Sequence, residues 1–438
     1  MGMRYPGVEH IRNYRPGGYH PVVIGDVFQD KYRVLNKLGN GAYATVWLVE
    51  NTITGQFASL KIIVAEASTS ELDIVRHIKK NQAMGASPGS EYVMEIFDEF
   101  LLEGPNGVHQ CIVSELLGPS IQQPDLEVIF PEDYFPIAMA KKICAQIAQG
   151  LAYLHRCKIV HGGTVTSLSP SRIGSVITYP HLSDLHLSNI LLRIPGIENW
   201  TRQDIETYYG QPQKLPIRDG EWNIITPTTP SVPEYVLGEA DGIELLELCL
   251  SSIDTIHIKI CDFGESYLSD GAPKTTAPRM PRVFAAPEAI FFQEPVTPAI
   301  DIWALAVLMH MLLSGGGLLF ASYHGITKEI VREMVLTLGK LPDRFWTKWE
   351  ERAEYFDDEG HFIGNTKLLP PVTGQFIKIY SDRMSPEEVT AFEELARKMV
   401  RYEPEDRLSA DEVARLLPAD WINGSTRSAE AIGEGVSR

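Results

Sequence analysis

The chain has 438 residues, 44% of them apolar, enough for one large two-lobed domain or two or three smaller ones with real cores. A net charge of −18 disfavours a nucleic acid or an anionic membrane as direct partner, and suits a basic protein substrate as well as it suits simple solubility. Five cysteines (Cys111, Cys144, Cys157, Cys249, Cys261) with no CxxC spacing argue against a disulfide scaffold or a structural zinc site, and fit a reducing compartment.

Residues 1–31 read as a polar extension punctuated by Pro6, Pro16, Gly17, Gly18 and Pro21. It lacks the apolar run of a secretory signal, and Pro6 stands where a myristoylation signal carries Ser or Thr. From Tyr32 to Ser114 come short β-rich runs, YRVLNKL, TVWLVEN, ASLKIIV, YVMEIFDEF and HQCIVSE. One amphipathic helix interrupts them, ELDIVRHIKK, with Leu72, Val75 and Ile78 at helical spacing. Past Pro136 helices dominate, and AMAKKICAQIAQGLAYLHR puts Ile143, Ile147, Leu151 and Leu154 on one stripe. IWALAVLMHMLLSGGGLLF (302–320) approaches membrane-spanning length, but His310 and the Gly315-Gly316-Gly317 break make it a buried core helix. The organisation expected is an extension (1–31), a β-rich lobe (32–114), a helical lobe (115–425) and a tail (426–438). Two stretches inside the helical lobe, 163–183 and a Pro/Thr-rich spacer at 195–255, read as insertions.

Several short motifs carry chemistry. In LGNGAYATVW, Gly39 and Gly41 lie between two β-like runs, where a backbone without Cβ atoms can approach phosphates. Lys61 sits inside the apolar strand ASLKIIV and needs an anionic partner, for which Glu71 on the following helix is the candidate. IHIKICDFGES delivers Asp262 from a buried strand into a turn opened by Gly264. AAPE (285–288), DIWALAVLMHML (301–312) and EPEDRLSADEV (403–413) follow, and their order and spacing say more than any one of them.

With these residues in view, the chain resembles the eukaryotic protein kinases over residues 32–420. It looks most like the SR-protein kinases and their fungal relatives, through YHPVVIGDVFQDKYRVLNKLGNGAYATVWL, CIVSELLG, the long spacer between Asn189 and Asp262, and MVLTLGKLPDRFW. The resemblance implies an α+β, bilobal kinase-like fold, with a small β-rich N-lobe holding one helix and a larger α-helical C-lobe. It implies an ATP- and Mg²⁺-dependent Ser/Thr protein kinase, a monomer in the cytoplasm or nucleus, phosphorylating basic Ser/Arg-rich proteins of mRNA processing. Leu38, Gly39, Gly41 and Val46 would cover the nucleotide, Lys61 would grip its α/β-phosphates, and Glu71 would orient Lys61. Glu115 to Leu117 would be the hinge against adenine, with Ser114 as gatekeeper. Asp184 would accept the substrate hydroxyl proton, and Asn189 and Asp262 would hold Mg²⁺. Asp301 would anchor the catalytic loop from below, and Glu288 would form a structural ion pair with Arg407.

The departures from the family pattern concentrate in the catalytic loop. Ala44 replaces the third glycine of the phosphate loop, and Ser59 replaces a usual alanine. Gly162 stands at the usual arginine, so no cation there can read a phosphorylated activation segment. His186 stands at the usual lysine, and a neutral imidazole offsets phosphoryl charge less well. His161 and Asp184, normally two positions apart, are 23 apart, and removing Gly163 to Ser183 restores HGDLHLSN. That string also resembles the small-molecule phosphotransferases, which lack the Ala-Pro-Glu segment found here. The 21-residue insert has no Asp or Glu in a chain with 57, and its ends can be encoded with intron-like GT and AG, which favours a translated intron over a genuine loop. A long excursion adds little closure cost, but catalysis needs its ends to meet closely. The second functional reading is therefore an ATP-binding pseudokinase or scaffold.

Overall fold

The computed structural model describes residues 5, 7–67, 71–122, 129–130, 135–162, 189–219, 221, 223–226, 229–238, 240, 242–271, 282–291, 297–320, 322, 326–363 and 383–423. They fall into two compact units. The first comprises 1–86, 94–119 and 191–255, and the second 87–93, 120–190 and 256–438.

The first unit is built on an antiparallel sheet of six strands: β1 (Val27–Phe28), β2 (Tyr32–Asn40), β3 (Ala44–Asn51), β4 (Phe57–Ile63), β5 (Ile96–Gly104) and β6 (Gly107–Glu115). Their spatial order is β1-β2-β3-β4-β6-β5. Val34, Trp47, Val49, Leu60, Ile62 and Val113 form its core, as expected where β-branched and aromatic residues meet on a pleated face. The expected amphipathic helix runs Glu71–Ala83 and buries Leu72, Val75 and Ile78. Glu71 and Asp73 occupy its first turn, the favourable end of the helix dipole for a carboxylate.

The spacer differs from expectation. The sequence reading places 195–255 in the helical lobe, whereas 191–255 packs in the first unit. It carries a helix at Arg202–Tyr209, closed by a Thr201–Asp204 capping box, a hairpin of Lys214–Pro216 with Tyr235–Leu237, and a helix at Ile243–Leu250. Leu237 and Tyr235 join the core of the six-stranded sheet, and Val236 and Ile217 pack with Val8 of the extension. The physical reason is burial: apolar side chains of the YVL strand shield sheet residues that water would otherwise reach.

The second unit is helical. Helix Ile137–Arg156 buries Ile143, Ile147, Leu151 and Leu154 on the expected stripe. Helix Ala299–Ser314 is apolar all round and buried along almost its whole length, the pattern of a central core helix. It ends at Gly315, whose φ of +74° is the left-handed cap that glycine adopts without a Cβ penalty. No described helix is long and apolar enough to cross a membrane. A second core of Val331, Phe345, Trp346, Trp349 and Phe356 lies within 327–363.

Candidate active site

In the first unit the strand register assembles the candidate nucleotide residues. Val46 on β3 pairs with Lys61 on β4, which pairs on its other side with Ile112 on β6. Gly39 pairs with Val46, and the Gly41 N–H donates to the Ala44 carbonyl at 2.9 Å, closing the turn after Leu38 and Gly39. Lys61 Nζ donates to Glu71 Oε1 at 2.6 Å, so the lysine that its apolar strand left needing an anion has the expected one. The Lys61 side chain keeps 25% exposure while Glu71 keeps 6%, so the carboxylate is the more deeply held of the two. Ser114 is buried at the end of β6, and the Glu115 N–H donates to Glu95 O at 3.1 Å. The Tyr209 hydroxyl of the spacer helix reaches the Leu117 carbonyl at 3.5 Å, a contact no local sequence signal announces.

In the second unit Asp301 organises the start of the catalytic loop. Its carboxylate accepts the N–H of His161 at 2.8 Å and of Gly162 at 3.0 Å, and His155 Nε2 lies 2.9 Å away. Burial alone would raise the Asp301 pKa, but the His155 hydrogen bond and charge, the His161 charge and the Gly162 N–H hold it below the ordinary carboxylate range. Gly162 has φ +75°, and a Cβ there would sit 3.1 Å from the Glu265 carbonyl, so a glycine in place of the usual arginine relieves both backbone and packing.

Cys261, just past the buried strand Ile258–Ile260, ties down both ends of the interrupted loop. The Cys261 N–H donates to Asn189 O at 2.9 Å, and the Cys261 carbonyl lies 3.0 Å from His161 Nε2. Ser266 adds a strap, its hydroxyl donating to His161 O at 2.9 Å, and Phe263 packs edge-on to the His161 ring at 5.8 Å. Asp262 itself is left-handed, φ +59°, a region few residues other than glycine enter and one that aspartate tolerates better than most. Asp184, His186 and the insert 163–183 lie outside the described residues.

The expected Glu288–Arg407 pair is present and bidentate, at 2.6 and 2.8 Å. Arg407 also donates to the carbonyls of Arg401, Ala299 and Tyr402, and its guanidinium lies 5.1 Å above the Trp303 ring. The His155 contact and the Ser266 strap are the residues that sequence reasoning missed; both depend on partners more than a hundred positions away.

Comparison with known proteins then decides the family: the protein kinase domain profile matches residues 32–162 and 249–421. The chain belongs to the protein kinase family. It is an ATP-dependent serine/threonine protein kinase with the bilobal kinase fold, in a family that uses ATP and typically Mg²⁺. This kinase is 29% identical to serine/threonine-protein kinase SRPK of Physarum polycephalum, over 92% of its own length and 89% of that protein's. It is 26% identical to a serine/threonine protein kinase of Aspergillus fumigatus, covering 94% and 90%. Against human SRSF protein kinase 3 it is 35% identical over 38% of its length and spans only 29% of that protein. The crystal structure of the PF14_0431 kinase domain shares the fold, with TM-score 0.55, 17% identity and coverage of 92% of this chain and 98% of that one. The two matched segments leave out 163–248, the stretch holding the insert, Asp184, His186 and Asn189.

Proposed function

We propose that this kinase transfers the γ-phosphoryl group of ATP to serine in basic, Ser/Arg-rich proteins, from the cytoplasm or nucleus. What carries the reading is the likeness over 92% of the chain to a kinase named SRPK. The 2.6 Å Lys61–Glu71 contact and the −18 net charge support it, the first on the nucleotide side and the second on the side of a basic substrate.

On this reading Leu38, Gly39, Gly41 and Val46 cover the nucleotide, Glu115 and Leu117 offer backbone to adenine, and Lys61, steadied by Glu71, meets the α/β-phosphates. Asp184 takes the serine proton, and His186 stands near the transferred group. Asn189 and Asp262 would hold Mg²⁺; an amide oxygen and a carboxylate suit that hard, oxygen-seeking ion. Bound there, the ion neutralises charge on the phosphate oxygens. With Gly162 in place of an arginine, the kinase acts without reading a phosphate on its activation segment.

An assay on an Arg-Ser repeat peptide tests this, with the full chain, the chain lacking 163–183, and Asp184→Asn in each. The expectation is turnover in the shortened form that Asp184→Asn lowers by roughly 10²- to 10⁴-fold. Turnover no greater than that control in both forms would sink the enzyme reading and leave a nucleotide-binding scaffold. Sequencing the mature transcript settles the insert's origin: abundant message retaining its 21 codons makes it a genuine part of the protein.

A further inference from the structure

The family match begins at residue 32, yet the described residues before it reach the phosphate loop itself. The Tyr19 hydroxyl donates to the Gly41 carbonyl at 2.7 Å. Its ring is buried against Tyr14, with centroids 5.6 Å apart, and against Val64. The backbone around Tyr19 is held on two sides. Ala65 and Glu66 donate N–H groups to Gly18 O and Gly17 O at 3.2 and 2.7 Å, just past the strand of Lys61. Asn106 Nδ2 donates to Tyr19 O at 2.6 Å.

The root of the same loop is gripped as well. Lys37, two residues before Gly39, is wholly buried and pairs with Glu9 of the extension. Lys37 Nζ also donates to Leu237 O at 3.3 Å, and the Tyr14 hydroxyl donates to Glu9. Strand β2 breaks register on either side of Asn36–Lys37, and such bulges re-aim side chains. Glycine-rich turns have many accessible backbone states, so a tether at Gly41 restricts what nucleotide binding would otherwise have to order.

We infer that the extension is a working part of the nucleotide site, with Tyr19 as a positioning residue that holds the phosphate loop through the Gly41 carbonyl, and the Glu9–Lys37 pair fixing the strand that carries it. The inference rests on the kinase reading above. Its test is the affinity of the full-length chain for Mg²⁺·ADP, a binding readout independent of turnover. Tyr19→Phe keeps the buried ring and removes only the hydroxyl, so the expected outcome is a Kd raised about threefold to tenfold, the worth of one neutral hydrogen bond. Tyr402→Phe, which removes a hydroxyl of the second unit that donates to the Met334 and Gly339 carbonyls, is expected to lower Tm and leave that Kd unchanged. A Kd for Tyr19→Phe within twofold of wild type, or an equal shift in both variants, overturns the inference. If Lys61→Met abolishes binding while Tyr19→Phe leaves it intact, only the inference falls. If the wild-type chain binds no Mg²⁺·ADP, the kinase reading falls with it.

Discussion

The two ion pairs that mark this kinase in sequence are built to opposite specifications. Glu288–Arg407 has side-chain exposures of 2% and 0%, is bidentate, and has its remaining donors taken by carbonyls. Lys61–Glu71 is joined at 2.6 Å, with side-chain exposures of 25% and 6%. A buried charge left without its partner is costly, so the first pair is committed to the fold. The second keeps its geometry with less of it buried, which suits the phosphate-binding role proposed above for Lys61. The same chemistry of charges is thus built with different degrees of burial in the two units.

Substitutions at the two pairs should therefore separate stability from catalysis. The largest effect is expected from Arg407→Met, which strands the Glu288 carboxylate in the core; about 3–5 kcal/mol of stability should go, read as a shift in urea midpoint. Lys61→Met should lower kcat/KM by about 10²-fold or more while moving the midpoint less than Arg407→Met does, because the Glu71 carboxylate left behind sits in the first turn of its helix, where the dipole favours it. A midpoint shift from Lys61→Met as large as that from Arg407→Met would break the contrast. The smallest effect is in pH. Burial, then the neighbouring charge of His109, lowers the His20 pKa from 6.5 to about 4. The unfolded chain then binds the extra proton first, so this contribution is present above pH 6.5 and is lost as pH falls towards 4. At pH 5 the loss should be about 2 kcal/mol, seen as a lower urea midpoint than at pH 7, and His20→Gln should flatten that difference. The second unit's depressed carboxylate at Asp301 keeps its contribution until pH drops below the ordinary carboxylate range.

Much of the site could be read before any coordinates. Lys61 in an apolar strand announced its need of an anion, the period of 71–83 placed Glu71 at a helix start, and Asp-Phe-Gly with Ala-Pro-Glu gave the order of the rest. Such signals are legible because they are local: strand alternation, helical spacing and turn glycines act over a few residues. The spacer was misplaced for the complementary reason. Its strands are three residues long and set among prolines and threonines, so nothing local says which core they join.

Local order along the chain therefore decided the element types and brought Lys61 and Glu71 forward as a pair, because each rests on side chains within a turn or two of one another. Tertiary packing alone decided that the spacer and the N-terminal extension belong to the first unit, that Cys261 bridges the two ends of the split catalytic loop, and that Tyr19 reaches Gly41. Those contacts join residues from 22 to more than 200 positions apart, and their stability comes from burial and hydrogen bonds that exist only once the chain has closed.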